Sequence, residues 1–306
     1  LTFPVEAAKE GWASIAPEAV FRHGDKKQTV RGFYSGEGEV TVRFLPDEAG
    51  EWSFTVTGEV RAEGTVTVEE AGEGSRGPVK AADTHFEYQD GTCFYPFGTT
   101  VYALMHQDRE LVETTFETLA SAPFNKVRLC VFPKHYDFNH NEPELYAFER
   151  KEDGSWDVTR PCLAFWSYLD EIIGRLNALH IQADLILFHP YDRWGFSKLT
   201  MEESLTYLDY AVRRLCAYPN IWWSMCNEYD FVGNKSMEDW NTIDEFIGEQ
   251  DPYHHLLSNH NCFKEYDFSR EKITHCSMQT RILANIPNLF ARYRKPVSID
   301  ECCYEG

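Results

Sequence analysis

Pro219-Asn-Ile-Trp-Trp-Ser-Met-Cys-Asn-Glu-Tyr-Asp230 reads as a buried parallel strand that ends in an Asn227-Glu228 pair, where a loop begins. A short apolar run bounded by turn-forming and polar residues is the pattern of a strand covered on both faces. A second run, Pro296-Val-Ser-Ile-Asp-Glu301, also ends on a carboxylate. Two strands finishing in glutamate direct attention to whatever lies between and around them.

Between residues 93 and 306 strand candidates alternate with helical stretches. The strands are expected over 94–101, 125–132, 182–188, 221–226, 256–259, 273–278 and 297–299. Leu163, Trp166, Leu169, Ile173, Leu176 and Leu179 repeat at helical spacing, as do Leu205, Leu208, Ala211, Val212 and Leu215. Parallel strands joined by helices cross over with one hand, so such a series opens into a doubly wound sheet or closes into a barrel. No glycine-rich turn follows the first strand, which favours the barrel. The expected fold class is therefore α/β, a (β/α)8-type TIM barrel over 93–306. Closure takes eight strands and only seven candidates are present, so the last βα unit is expected either beyond residue 306 or not at all.

Upstream the rhythm is different. Short alternating strands over 28–34, 39–44, 50–56 and 63–68, broken by Gly, Asp and Pro, predict a small all-β Ig-like sandwich over 1–75. Arg43-Phe-Leu-Pro46 and Gly50-Glu-Trp52 put apolar residues at period two on either side of a turn. Residues 76–92 are expected to be a linker. The GxGxxG spelling at Gly72-Glu-Gly-Ser-Arg-Gly77 is followed by Pro78 and an extended stretch, not by the helix that a nucleotide site requires.

The chain has 306 residues, 43% of them hydrophobic and 15% aromatic, ample material for packed cores. Its formal charge of -20 argues against a nucleic-acid partner, which calls for clustered Lys and Arg. No apolar run reaches the length of a membrane span. Nine cysteines, without CxxC pairs, suit a reducing compartment, so the expected location is cytoplasmic. Cys130, Cys226, Cys276 and Cys302, with its neighbour Cys303, are expected as packing residues. Residue 1 is Leu, so a trimmed signal segment stays open, as does the match of Asn234-Lys-Ser236 to a glycosylation sequon. Oligomeric state is open too, a homo-oligomer included.

In a parallel barrel the polar residues at the C-terminal strand ends face the pocket. Glu228 and Glu301 form the pair that sugar-bond hydrolysis uses, one carboxyl donating a proton while the other attacks or activates water. As a lone feature, a strand-end Glu reads equally as an ion-pair partner or helix cap. After the third strand comes His189-Pro-Tyr-Asp-Arg-Trp194, and His189, Asp192 and Trp194 suit a sugar subsite, an indole face against C–H groups and polar atoms on hydroxyls. The bland alternative is a loop pinned by Trp194. His260 and Asn261 end the fifth strand, Gln279 the sixth, and Tyr102 and His135 follow the first two. No metal or other cofactor is expected: HExxH is absent, and His254 and His255, adjacent on an extended segment, point to opposite faces. GxSxG is absent as well.

The Asn227-Glu228 pair after the fourth strand and Glu301 after the seventh resemble the acid/base and nucleophile of clan A retaining glycoside hydrolases. The resemblance implies Glu228 as acid/base, Glu301 as nucleophile and Asn227 as partner of the substrate 2-hydroxyl. Arg128, in Lys-Val-Arg-Leu-Cys130, resembles the arginine that such enzymes place beneath the nucleophile. Gly32-Phe-Tyr34, Arg43-Phe-x-Pro46, Gly50-x-Trp52 and Gly77-Pro-Val79 look like an uncharacterised β-sandwich domain that precedes barrels of this type in bacterial carbohydrate-active proteins. Gly98-Thr-Thr100 with Tyr102 looks like the first strand of those barrels. The implied partner is a carbohydrate substrate, with carboxyl groups about 5 to 5.5 Å apart. Two other readings stand beside it: a non-catalytic carbohydrate-binding barrel, and a barrel enzyme using Glu228 as a proton-abstracting base, with Lys134 the one lysine well placed to assist.

Overall fold

The computed structural model describes residues 1–6, 11–72 and 74–302; Cys303 lies outside them. Seven N-terminal strands come first: β1 (Thr2–Pro4), β2 (Glu18–His23), β3 (Lys26–Arg31), β4 (Phe33–Gly36), β5 (Glu39–Thr41), β6 (Gly50–Thr57) and β7 (Ala62–Val68). They form two antiparallel sheets, ordered β3-β2-β6-β7 and β1-β5-β4. Inward residues at period two, Phe21, Trp52 and Val56, are buried, and Phe21 stacks on Phe44 at 4.1 Å between ring centroids. The expected strand over 28–34 is two strands, split at Gly32. A Cβ there would lie 2.9 Å from the Thr41 carbonyl, so only glycine fits.

Residues 76–92, expected as a linker, contain β8 (Val79–Ala82) and β9 (His85–Tyr88), which form a small sheet with β10 (Cys93–Phe94). Val79, Phe86 and Phe94 pack on Trp222 and Leu256, which gives the segment its own apolar core. Pro96 separates β10 from the first barrel strand, because proline has no N–H to give to a ladder.

Then come β11 (Gly98–Thr100) and β12 (Lys126–Cys130); a hairpin that the sequence did not announce, β13 (Phe148–Arg150) with β14 (Trp156–Pro161); and β15 (Gln182–Phe188), β16 (Ile221–Cys226) and β17 (Leu257–Ser258). The strands β11-β12-β15-β16-β17 are parallel neighbours in that order. Next are β18 (Cys276–Gln279) and β19 (Val297–Glu301), a parallel pair joined to β17 by Thr274 N–H on the Leu257 carbonyl (2.9 Å) and Ser258 Oγ on the His275 carbonyl (2.7 Å). The molecule is thus mixed α/β around a parallel sheet. At Gly98 a Cβ would meet the Lys126 carbonyl at 2.6 Å, so β11 approaches β12 through glycine.

Five helices cover the strands: α1 (Arg109–Ser121), α2 (Leu163–Ala178), α3 (Met201–Leu215), α4 (Met237–Gln250) and α5 (Ile286–Tyr293). Capping boxes start two of them, Thr200 with Glu203 for α3 and Ser236 with Asp239 for α4. Outward residues such as Val127, Leu129, Leu185, Leu187 and Met225 join Leu169, Ile173 and Leu208 in one apolar core. Inward residues are charged. Lys126 Nζ lies 2.7 Å from Asp184 Oδ2 and 2.6 Å from Asp300 Oδ1, all three side chains at most 5% exposed.

The N-terminal module is tied to α3. Arg213, buried, donates to the carbonyls of Ile15 (2.9 Å), Gly32 (2.7 Å) and Ala13, while Arg43 makes a two-pronged pair with Asp170 (2.6 and 2.7 Å). No helix of the described residues is long and apolar enough to cross a membrane. Eight described cysteines are unpaired; Cys302 is exposed, not packed, since the strand ends one residue earlier.

Candidate active site

Glu228 leaves β16 with φ +54°, a left-handed conformation that disfavours any side chain by about 1–2 kcal/mol. Such strain persists where the surroundings over-determine it, and it concentrates at functional sites. The surroundings here are hydrogen bonds. Tyr191 Oη donates to Glu228 Oε2, Asn227 Nδ2 donates to the same oxygen (3.3 Å), and Glu228 N–H donates to His260 Nδ1 (3.4 Å). With its amide nitrogen facing the site, Gln279 donates to Glu228 Oε1 (3.1 Å) and to the Asn261 carbonyl (3.2 Å).

Glu301 arrives by a different device. Ser298 and Asp300 point into the barrel, where Asp300 receives Ser298 Oγ (2.8 Å), Ser277 Oγ and Lys126. Strict alternation would send Glu301 outward. The ladder shifts instead, Ile299 pairing with Met278 and Glu301 with Gln279, so Asp300 is an extra residue. Bulges of this kind re-aim a side chain. Glu301 is buried with Oε1 3.6 Å from Arg128 Nη1.

Arg128 joins the two strand tips, because its Nη2 also reaches Asn227 Oδ1 (3.4 Å) and its Nε lies 3.5 Å from Asp184. Tyr102 Oη donates to the same Asn227 oxygen (3.3 Å). Tyr102, Arg128, Asn227, Glu228, His260 and Gln279 therefore form one connected network, with Glu301 attached through Arg128. His260 is fully buried and its imidazole is held far below the usual histidine range, by burial first and then by Arg128.

Three further residues expected at a sugar subsite make other contacts. His189 is buried, its Nε2 3.1 Å from the Phe132 carbonyl, and burial lowers its pKa to about 4. Asp192 closes its own loop, accepting from the N–H groups of Trp194 (2.8 Å), Gly195 (3.1 Å) and Ser197 (2.6 Å). Trp194 donates its indole N–H to Glu142 (2.8 Å). These contacts hold the loop after β15, and none of the three residues makes the hydrogen bonds around Glu228.

Sequence reasoning missed Tyr191, inside the same His-Pro-Tyr-Asp motif, and Cys262, whose thiol is pushed up to about 12 by burial and by its hydrogen bond to Glu228. Neither carries a spacing signal; only the meeting of loops reveals them. A cleft of about 80 Å³ lies between β11 and β19, lined by Gly98, Thr100, Lys126, Arg128, Ser298 and Asp300. Among the described residues no group of three or more His, Cys, Asp or Glu is arranged to hold a metal ion.

A parallel barrel with glutamates at two strand ends, connected through Asn227 and Arg128, has the architecture of a glycoside hydrolase, and comparison with known proteins agrees. The chain belongs to the family described as Apiosidase-like, catalytic domain, whose model matches residues 80–306; residues 2–59 match a domain of unknown function, DUF5060. A solved Bacteroides vulgatus protein, itself assigned as a glycoside hydrolase by inference, is 40% identical, with a TM-score of 0.94 over 100% of this chain. The chain spans 64% of that protein. A Bacteroides vulgatus glycoside hydrolase family 5 structure (18% identity, TM-score 0.58, 75% of this chain and 54% of that one) shares the fold. So does an endo-1,4-beta-mannanase from Rhizomucor miehei (17%, 0.52, 72% and 80%). Among curated proteins none matches this chain.

Proposed function

We propose that the chain hydrolyses a glycosidic bond with retention of configuration. Glu301 attacks the anomeric carbon as Glu228 protonates the departing oxygen, and the C–O bond breaks to leave a glycosyl ester on Glu301. Glu228, now ionised, takes a proton from water, whose oxygen attacks the same carbon and releases Glu301. Asn227 holds the sugar 2-hydroxyl, and Tyr102, His260 and Gln279 complete the pocket. The observation that carries this reading is the reach of one buried guanidinium, Arg128, to Asn227 at 3.4 Å and to Glu301 at 3.6 Å. That contact favours an ionised Glu301.

The family description names an apiosidase-like activity, so apiose-bearing glycans are the first substrates to assay. The two N-terminal sheets are read as an Ig-like sandwich, and the parallel strands as a (β/α)8-type barrel. Unpaired thiols favour a reducing, cytoplasmic setting.

Wild type and Glu228→Gln are compared on apiose-bearing oligosaccharides and activated aryl glycosides, with the first-formed anomer followed by NMR. Natural linkages should slow by about 10²–10⁴-fold in the variant, aryl glycosides by less, and the product should keep its configuration. Wild-type turnover in the variant removes Glu228 as acid/base; an inverted product removes the covalent intermediate.

A further inference from the structure

Lys134, in the loop after β12, is a cation with 4% of its surface exposed and no ion pair to a carboxylate among the described residues. Its Nζ sits 3.3 Å from the ring centroid of Tyr102, 4.3 Å from that of Tyr191 and 4.8 Å from that of Tyr136. Each ring offers its electron-rich face, the arrangement that holds a desolvated ammonium. The loop is fixed in turn, since Asn139 Nδ2 donates to the Lys134 carbonyl (2.7 Å) and Gln107 Nε2 donates to Asn139 Oδ1 (2.9 Å). Two of the caging tyrosines are those that reach the glutamate tip: Tyr191 donates to Glu228 and Tyr102 to Asn227.

We propose that Lys134 is the positioning residue that sets the proton affinity of Glu228, its charge seated on the rings of Tyr102 and Tyr191 whose hydroxyls hold Asn227 and Glu228. The proposal rests on Glu228 acting as proton donor. A buried positive charge near a carboxyl favours the ionised form, so removing the Lys134 charge should favour the protonated one. The other groups facing the pair are Cys130, Arg128, His189 and Tyr136 around Lys134, and His260, Cys262 and Tyr191 around Glu228. The influence is mutual: burial lowers the Lys134 pKa to about 8, and Glu228 is one of the groups that counter that fall.

Lys134→Met keeps the apolar stem and removes the charge; Lys134→Arg keeps the charge. The carboxyl carbon of Glu228 is titrated by NMR in the full chain, and the alkaline limb of kcat/KM is recorded on a cleaved substrate. The expected result is a Glu228 pKa about one unit higher in the Met variant, an alkaline limb moved up by the same amount, and a return toward wild type with Arg. A purely structural role would lower kcat without moving the limb. Reciprocity supplies a check in a chain whose Lys134 is intact: Glu228→Gln should lower the Lys134 pKa, read on its Cε resonance. An unmoved Glu228 titration in the Met variant, or an unmoved Lys134 titration in Glu228→Gln, overturns the proposal. Absence of any glycosidase turnover would refute the hydrolase reading while leaving both NMR titrations to decide this one.

Discussion

Arg128 and Glu301 face one another at 3.6 Å across the mouth of the barrel, the one from its second strand and the other from its seventh, both buried. On the proposed role of Glu301 as nucleophile, Glu301→Gln should retain the fold and lose at least about 10³-fold in kcat. Parallel measurement of turnover and thermal midpoint checks this, and a variant that turns over at the wild-type rate would end the assignment.

Beneath that pair, Lys126 is held by Asp184 and Asp300, and Asp300 is kept well below the ordinary carboxylate range by Lys126, with Arg128 and His260 adding to it against burial. Removing one partner from a buried charge network leaves the others uncompensated. Asp300→Ala should cost about 3–5 kcal/mol in urea unfolding, while Glu301→Gln, at the rim of the same strand, should cost much less. The contribution of Asp300 is present above pH 3.8, its unfolded value, and fades only below that.

Histidines set a second pH window. Burial lowers His106 and His189 to about 4 and His275 to about 3, against 6.5 in the unfolded chain. The unfolded state therefore takes up protons first as pH falls. Stability is fully present above pH 6.5 and declines toward pH 4, by up to about 1.4 kcal/mol per pH unit for each histidine. Urea midpoints between pH 7 and 4.5 should fall accordingly, and His106→Leu should make the decline shallower. An unchanged slope in that variant would remove His106 from the account.

The two modules are joined by a buried arginine. Arg213→Ala would orphan the carbonyls of Ala13, Ile15 and Gly32, at a cost of about 3 kcal/mol. Early proteolytic release of the N-terminal strands, with the barrel core still resistant, is the expected readout; simultaneous loss of both would show a single cooperative unit.

Much of the barrel was legible because buried parallel strands are continuous apolar runs: 182–188 and 221–226 match β15 and β16 residue for residue. The helices α2 and α3 carried their heptad-like spacing openly. Less legible were the cap over 79–94, whose short strands earn stability only against Trp222, and the β13–β14 hairpin, which has no periodicity of its own. In the site, Glu228, Glu301 and Asn227 could be named from strand ends, and Arg128, mid-strand in β12, only from the resemblance. His189, Asp192 and Trp194 share the type of residue a sugar subsite uses, yet the hydrogen bonds they make run to Phe132, their own loop and Glu142.

By itself the sequence determined where the long buried strands run and that glutamates stand at or just beyond the ends of two strands, because hydrophobic period and turn residues are local properties of the chain. Only the tertiary structure decided which way those glutamates point. A one-residue bulge at Asp300 turns Glu301 toward Arg128, and a left-handed residue at Glu228 is held by Tyr191 from a neighbouring loop. Side-chain direction depends on register with a neighbouring strand, and a protonation partner depends on which loops meet; both are set by contacts between segments that the linear order of residues keeps apart.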